Sequence, residues 1–296
     1  MTFKERLDAY ERLTRLDQPI GILLLLWPTL WALWLATPAH LYFDVLLIFL
    51  VGTVLMRSAG CVINDYADRD FDAHVERTQD RPLAAGIIKP REALALAGVL
   101  LLLAFALVLY LNRLVVYLSF FGLAVTVAYP FLKRFFVFPQ AGLGIAFSFG
   151  VPMAFAAQKG ALPAVAWVMM AATLFWIIAY DTEYAMVDRD DDAKLGLKSS
   201  AILLGRYDVA AVMVFHALFL AIMAFIGYWQ RLGPVYYGGL LAAGALAGYQ
   251  YWLIKDRSKE GCFRAFLNNN WMGAAIFACL ALDLMLRRRV FLSLPL

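Results

Sequence analysis

From Val45 to Asp72 the chain reads VLLIFLVGTVLMRSAGCVINDYADRDFD, an apolar run that carries only Arg57 before it reaches Asn64 and breaks into four aspartates. About 20 mostly apolar residues are needed to cross a bilayer as a helix, and this run supplies them. Comparable runs recur from Ile20 to Leu286, near 20–37, 43–64, 92–111, 114–132, 139–157, 163–184, 209–229, 234–254 and 266–286. The chain is 63% hydrophobic and 16% charged, against about 45–50% and about 25% for a soluble domain. The expectation is an all-α integral membrane protein with nine transmembrane helices bundled around a central cavity. One membrane-embedded domain covers residues 1–296, and no separate soluble domain is expected.

Charge sets the orientation. With the N-terminus inside, nineteen Lys and Arg fall in cytoplasmic segments and six outside, with Arg57 inside a span. That is the bias of the positive-inside rule. Arg287, Arg288 and Arg289 are the misfit, landing outside if the last run crosses. The opening MTFKERLDAYERL mixes acids with bases and has no early apolar core, so it resembles neither a cleavable signal nor a transit peptide. Cys61, Cys262 and Cys279 are odd in number, far apart and in apolar surroundings, which suits packing rather than a disulfide framework or a zinc site.

In this topology the second and sixth spans run in the same direction, so their ends share the cytoplasmic side. Those ends carry Asn64–Asp72 and Asp181–Asp192, and ten of the 22 acidic residues lie in these two stretches. Cytoplasmic loops of about 65–91 and 188–206 thus carry the chemistry. Asn64, Asp68 and Asp72 follow i, i+4, i+8, and Asp181, Asp188 and Asp192 follow i, i+7, i+11, each one stripe of a helix. Oxygen ligands without His or Cys suit a hard cation. Mg²⁺ typically takes one or two carboxylates and keeps positions for water and substrate phosphate. Asp68-Arg-Asp-Phe-Asp72 and Asp188-Arg-Asp-Asp-Asp192 also look like a degenerate repeat 120 residues apart. Two four-helix units plus one further helix would bring the clusters face to face on a shared diphosphate.

A diphosphate needs more positive charge than the metal supplies, and Arg and Lys both serve. Arg69, Arg77 and Arg81 lie in or after the first cluster, Lys194 and Lys198 after the second. Tyr129, Lys133 and Arg134 close the fourth span, where an aromatic belt with basic anchors is the plain alternative. Arg57 sits in an apolar run, so it should face the interior and an anion. Arg15 reaches the cavity or anchors the first span, and Tyr184 lies within the second acidic stretch. His40, His74 and His216 form no hydrolytic arrangement, and no Walker-type loop is present. The D-G-x-x-A-R signature of membrane phosphatidyl transferases is absent too. A cation transporter would place acids near mid-span, whereas these cluster at helix ends.

Taken in order, Arg15-Leu-Asp-Gln-Pro-Ile-Gly21, Leu26 to Trp31, Met56 to Cys61, Asn64/Asp68/Asp72, Tyr129-x-x-x-Lys133, Asp188/Asp192 and Phe266 to Trp271 resemble the UbiA-type membrane prenyltransferases over nearly the full chain. Within them the similarity is to the branch that prenylates 4-hydroxybenzoate. The resemblance implies nine helices, a cytoplasmic-side active site in a bacterial inner membrane, and a lateral opening to lipid. It implies transfer of a chain from polyprenyl diphosphate to the ring carbon ortho to the hydroxyl of 4-hydroxybenzoate, in ubiquinone synthesis. Asn64, Asp68, Asp72, Asp188 and Asp192 would hold Mg²⁺, and Arg69 and Lys133 would stabilise the leaving group. Arg134 resembles the position that binds the benzoate carboxylate, with Arg57 and Arg15 as rivals, and Asp181 or Asp188 would take the ring proton. Naphthoate, homogentisate and haem are the rival acceptors. No nucleic-acid partner is expected, and no oligomeric state follows from the sequence.

Overall fold

The computed structural model describes residues 2–36, 42–73, 78–132 and 134–293, with side chains through 287. Two expected site residues, Arg77 and Lys133, lie outside the described residues, as do His40 and His74. Among the described residues the chain is helical and has no strand. The helices are α1 (Phe3–Thr14), α2 (Ile20–Ala36), α3 (Phe43–Asp72), α4 (Pro90–Val108), α5 (Arg113–Leu132) and α6 (Pro139–Ser148). They continue with α7 (Gly150–Lys159), α8 (Ala164–Lys194), α9 (Ser200–Leu204), α10 (Asp208–Trp229), α11 (Pro234–Ile254) and α12 (Lys259–Ser293). Proline at the first position starts α4, α6 and α11, where its missing N–H costs no hydrogen bond.

Seven helical stretches are long and apolar enough to cross a membrane, counting α6 with α7 and α9 with α10. The 17-residue α2 is shorter, and α11, diluted by glycine, tyrosine and glutamine, is not among the seven. Two long crossings place the site. With 30 and 31 residues, α3 and α8 extend about 45 Å at 1.5 Å per residue, well beyond the roughly 30 Å hydrocarbon core. Both are longer than one crossing needs, and their last turns hold the acidic clusters. Residues 65–72 and 188–194 are helix, so the side chains keep the stripe that their spacing describes.

The interior is held by rings and by polar links between helices. Trp31 of α2, Trp176 of α8 and Phe219 of α10 are fully buried and in mutual contact, with ring centroids 5.2–5.8 Å apart. Lipid tails are as apolar as leucine, so helix association in a bilayer relies on close packing and interhelical hydrogen bonds. Three consecutive asparagines on α12 supply the bonds. Successive helical residues point about 100° apart, so each asparagine meets a different neighbour. Asn268 Oδ1 accepts from Gln250 of α11 at 3.1 Å, Asn269 Oδ1 from Trp176 of α8 at 2.9 Å, and Asn270 Oδ1 from Trp27 of α2 at 2.9 Å. Asn269 also donates to Glu183 Oε2 at 2.8 Å. One turn on, Gly273 lets α2 approach so closely that a Cβ there would lie 2.6 Å from Trp27 Cγ.

Replacing Asn269 with alanine would leave the Trp176 N–H and one Glu183 oxygen buried without partners. Such losses cost about 1–3 kcal/mol per group. Thermal unfolding of Asn269→Ala in detergent should therefore fall by several degrees; an unchanged transition would show that this link carries no stability.

At the cluster end, α1 lies across α3 and α4. Ala9 and Leu13 are buried against Val62, Ile63, Leu83, Ile88 and Ala93. Arg6 pairs with Glu92 of α4 at 2.7 Å, and Arg12 donates to the Asp80 carbonyl. The strap fixes the described part of the segment after α3, and with it Arg81.

Candidate functional site

A polar cavity of about 310 Å³ opens at the cluster ends of α3 and α8. Both acidic clusters reach it: Asn64, Asp68 and Asp72 from α3, and Asp181, Asp188 and Asp192 from α8 line the same space. Two stretches 120 residues apart in sequence thus form one site, as their spacing and direction suggested.

The first cluster is wired to the strap. Asn64 Nδ2 donates to Asp68 Oδ2 at 3.2 Å. Asp65, one residue round the helix, is buried and takes Arg15 at 2.9 Å and Arg81 at 3.1 Å. Arg81 also meets Asp72 at 2.7 Å, so a single guanidinium bridges two aspartates that both line the cavity. Arg15 caps α1 in the left-handed region at φ 58°, a conformation uncommon outside glycine, and its ion pair with Asp65 holds it there. The anchoring role considered for Arg15 is the one that its contacts describe, although its side chain also borders the cavity.

The second cluster has a matching knot. Asp208 is fully buried at the start of α10 and is paired with Arg189 of α8 and with Arg257, and it also accepts from the Val209 N–H at 2.6 Å. Arg189 therefore faces away from the cavity and ties the end of α8 to α10. Lys194 likewise pairs with Asp191 at 3.3 Å and does not line the cavity. Nor does Arg69, whose guanidinium lies 4.6 Å from the Tyr66 ring centroid and donates to the Tyr66 carbonyl at 2.7 Å. Arg134 donates to the Ala67 carbonyl and sits over the Phe71 and Phe131 rings, also off the cavity wall.

Arg57 is placed differently. It borders the polar cavity and also a second, almost wholly apolar cavity of about 360 Å³ enclosed by α2 to α7. Tyr129 and Phe147 are the other walls that the two cavities share. Nη1 of Arg57 donates to Cys61 Sγ at 2.8 Å, the group lies 5.5 Å from the Phe147 ring centroid, and its buried Nε has no hydrogen-bond partner. Gly21 makes the room: a Cβ there would come within 2.5 Å of the guanidinium. A partly buried cation with an unused donor, at the mouth of a greasy chamber and beside six oxygen-bearing side chains, suits an amphipathic anion.

The model of the UbiA prenyltransferase family matches residues 25–277. The chain belongs to the UbiA prenyltransferase family. Among curated relatives it is 61% identical to the 4-hydroxybenzoate octaprenyltransferase of Nitrosospira multiformis over 97% of this chain and 99% of that one. It is 59% identical to the enzyme of the same description from Azoarcus sp., over 96% and 99%. Among solved structures, the apo UbiA homologue of Aeropyrum pernix K1 superposes with a TM-score of 0.77 at 27% identity, covering 89% of this chain and 97% of that one. The Archaeoglobus fulgidus homologue bound to GPP and Mg²⁺ shares the fold at 18% identity, with a TM-score of 0.69 over 92% of this chain and 99% of that one.

Within this UbiA fold, sequence reasoning missed Tyr180 and Gln140. Tyr180 lines the polar cavity with its buried hydroxyl unpartnered, and its signal was the stripe Tyr180, Tyr184, Asp188 at helical spacing. Gln140 lines it from α6 while accepting from the Ser200 N–H at 2.8 Å; a lone glutamine in an apolar span was its only mark. Tyr184, expected at the site, borders the cavity with its ring against Phe266 at 4.8 Å.

Proposed function

We propose that the protein transfers a polyprenyl chain from polyprenyl diphosphate to the ring carbon ortho to the hydroxyl of 4-hydroxybenzoate, releasing diphosphate, in ubiquinone biosynthesis. One observation carries this most: the acidic polar cavity and the apolar cavity share Arg57, Tyr129 and Phe147 as walls, a head site joined to a tail site. The relatives named above, near 60% identical over almost their full length, support the same acceptor.

Mg²⁺ fits the donor set. Among the described residues no three Asp, Glu, His or Cys side chains cluster closely enough to cage an ion. The chain offers instead carboxylates spread round one cavity, which suits an ion that completes its shell with water and phosphate oxygens. Asn64, Asp68, Asp72, Asp188 and Asp192 would hold it, and when bound it would supply Lewis-acid stabilisation of charge on the departing diphosphate. Arg81, which lines the cavity beside Asp72, would add positive charge to the head group. Lys133 is proposed for the leaving oxygen, with Tyr129 donating beside it. Arg69 and Lys194 are left to the approach of an anionic donor rather than to contact with it, and Arg77 is proposed for the diphosphate.

As the allylic C–O bond breaks, positive charge grows on the prenyl carbon, and the Phe147 ring and the apolar wall exclude water from it. The acceptor ring attacks that carbon. Arg57 takes the benzoate carboxylate, because Arg134 is turned onto the Ala67 carbonyl and Arg15 onto Asp65. The Tyr180 hydroxyl is available to the acceptor's phenol, and Asp181, on the same wall, takes the ring proton that restores aromaticity. The nine apolar helices α2 to α5, α6 with α7, α8 and α10 to α12 are read as nine crossings, in two four-helix units plus one. The site faces the cytoplasmic side of the bacterial inner membrane.

Purified protein in nanodiscs, given 4-hydroxybenzoate, farnesyl diphosphate and Mg²⁺, should form the ortho-prenylated acid with one equivalent of diphosphate. No product there, with turnover of dihydroxynaphthoate or homogentisate instead, would overturn the acceptor.

A further inference from the structure

Helix α3 lines both cavities with one continuous stripe. Ile48, Gly52, Met56 and Gly60 face the apolar chamber at a spacing of four, and Asn64, Asp68 and Asp72 continue the same stripe into the polar cavity. At 1.5 Å per residue, Gly60 stands about 12 Å and Gly52 about 24 Å along the axis from Asp68. The helix is thus graduated from the head group outward.

Four glycines line the apolar chamber, and they divide into two kinds. A Cβ at Gly122 would lie 3.1 Å from Phe149 Cδ1, and one at Gly150 would collide with Thr29 Oγ1. Helix packing explains those two. At Gly52 an added Cβ meets nothing within 4 Å, and at Gly60 it meets only Thr126 Cγ2 at 3.9 Å. Packing does not explain these, and glycine is a poor helix residue. What a side chain at either position would meet is the interior of the chamber.

We propose that Gly60 and Gly52 set the length of prenyl chain that the enzyme accepts, by leaving the chamber open at two successive depths. The inference rests on the donor assignment above. A side chain at Gly60 narrows the chamber where it joins the polar cavity, and one at Gly52 fills its far part. The first should exclude all but the shortest donors, the second only long ones. The ordering follows from position along one helix, so it cannot be mimicked by a general loss of stability.

The test compares geranyl, farnesyl, geranylgeranyl and octaprenyl diphosphates with 4-hydroxybenzoate, in the full-length protein and in Gly60→Leu, Gly52→Ala, Gly52→Leu, Gly52→Phe and Val51→Phe. Val51 is exposed and does not line the chamber. Gly52→Phe should keep geranyl and farnesyl transfer within about threefold of wild type while kcat/KM for the octaprenyl donor falls at least tenfold, with Gly52→Leu intermediate. Gly60→Leu should keep only geranyl transfer, and Val51→Phe should match wild type. Geranyl turnover reports folding in each variant. A Gly52→Phe profile parallel to wild type, or equal loss of every donor across the Gly52 series, overturns the proposal. Failure of the wild-type protein with all four donors would instead overturn the donor assignment.

Discussion

Asp68→Asn and Asp188→Asn should each lower kcat by about 10³-fold, the scale seen when one preorganised electrostatic contribution to a transition state is removed, while both proteins insert and unfold like wild type. Both residues line the polar cavity, one on each motif helix. The substitutions conserve volume and leave the Asp65 and Asp208 knots intact, so the structural cost should be small. The two effects should also be far from additive, because residues that act on one diphosphate act as a unit. Prenyl transfer assayed at saturating donor and Mg²⁺ reads the effect. Full activity in either variant would remove the shared-diphosphate arrangement.

Arg57→Gln should act on the acceptor instead. Losing a buried charge-assisted contact to a carboxylate costs about 2–5 kcal/mol, and 1.4 kcal/mol is a factor of ten, so kcat/KM for 4-hydroxybenzoate should fall by roughly 30-fold to more than 10³-fold. The loss should be much smaller for an uncharged acceptor such as 4-hydroxybenzamide, and donor KM should move little. Equal losses for charged and uncharged acceptors would place Arg57 on the donor. The same measurement on Arg134→Gln should show neither pattern, because that guanidinium is occupied by the Ala67 carbonyl and two aromatic faces.

Hydropathy located the helices because a bilayer leaves few ways to satisfy a backbone, and the apolar runs do fall on helical segments. It could not show the break between α6 and α7 at Phe149, where the apolar character is continuous, nor the packing of α1 as a strap. The acidic stripe was legible because i, i+4 spacing survives any packing of the helix. Arg69, expected at the site from its proximity to Asp68, lies about 100° round the helix from it and turns onto Tyr66. Arg57 lies seven residues before Asn64 and therefore on the cavity stripe. Asp65, Arg81 and Asp208 depend on which segments fold back on which helix, and no local pattern encodes that.

The asparagine hub on α12 has a consequence for how the protein is made. Its partners are Trp27, near the start of the chain, and Trp176, Glu183 and Gln250, spread along the rest. A ribosome releases α12 last, so until synthesis ends those polar groups lack their final bonds, and Trp27 of α2 waits for a partner 243 residues downstream. Chains that stop short of Asn268 would lack all four of these bonds.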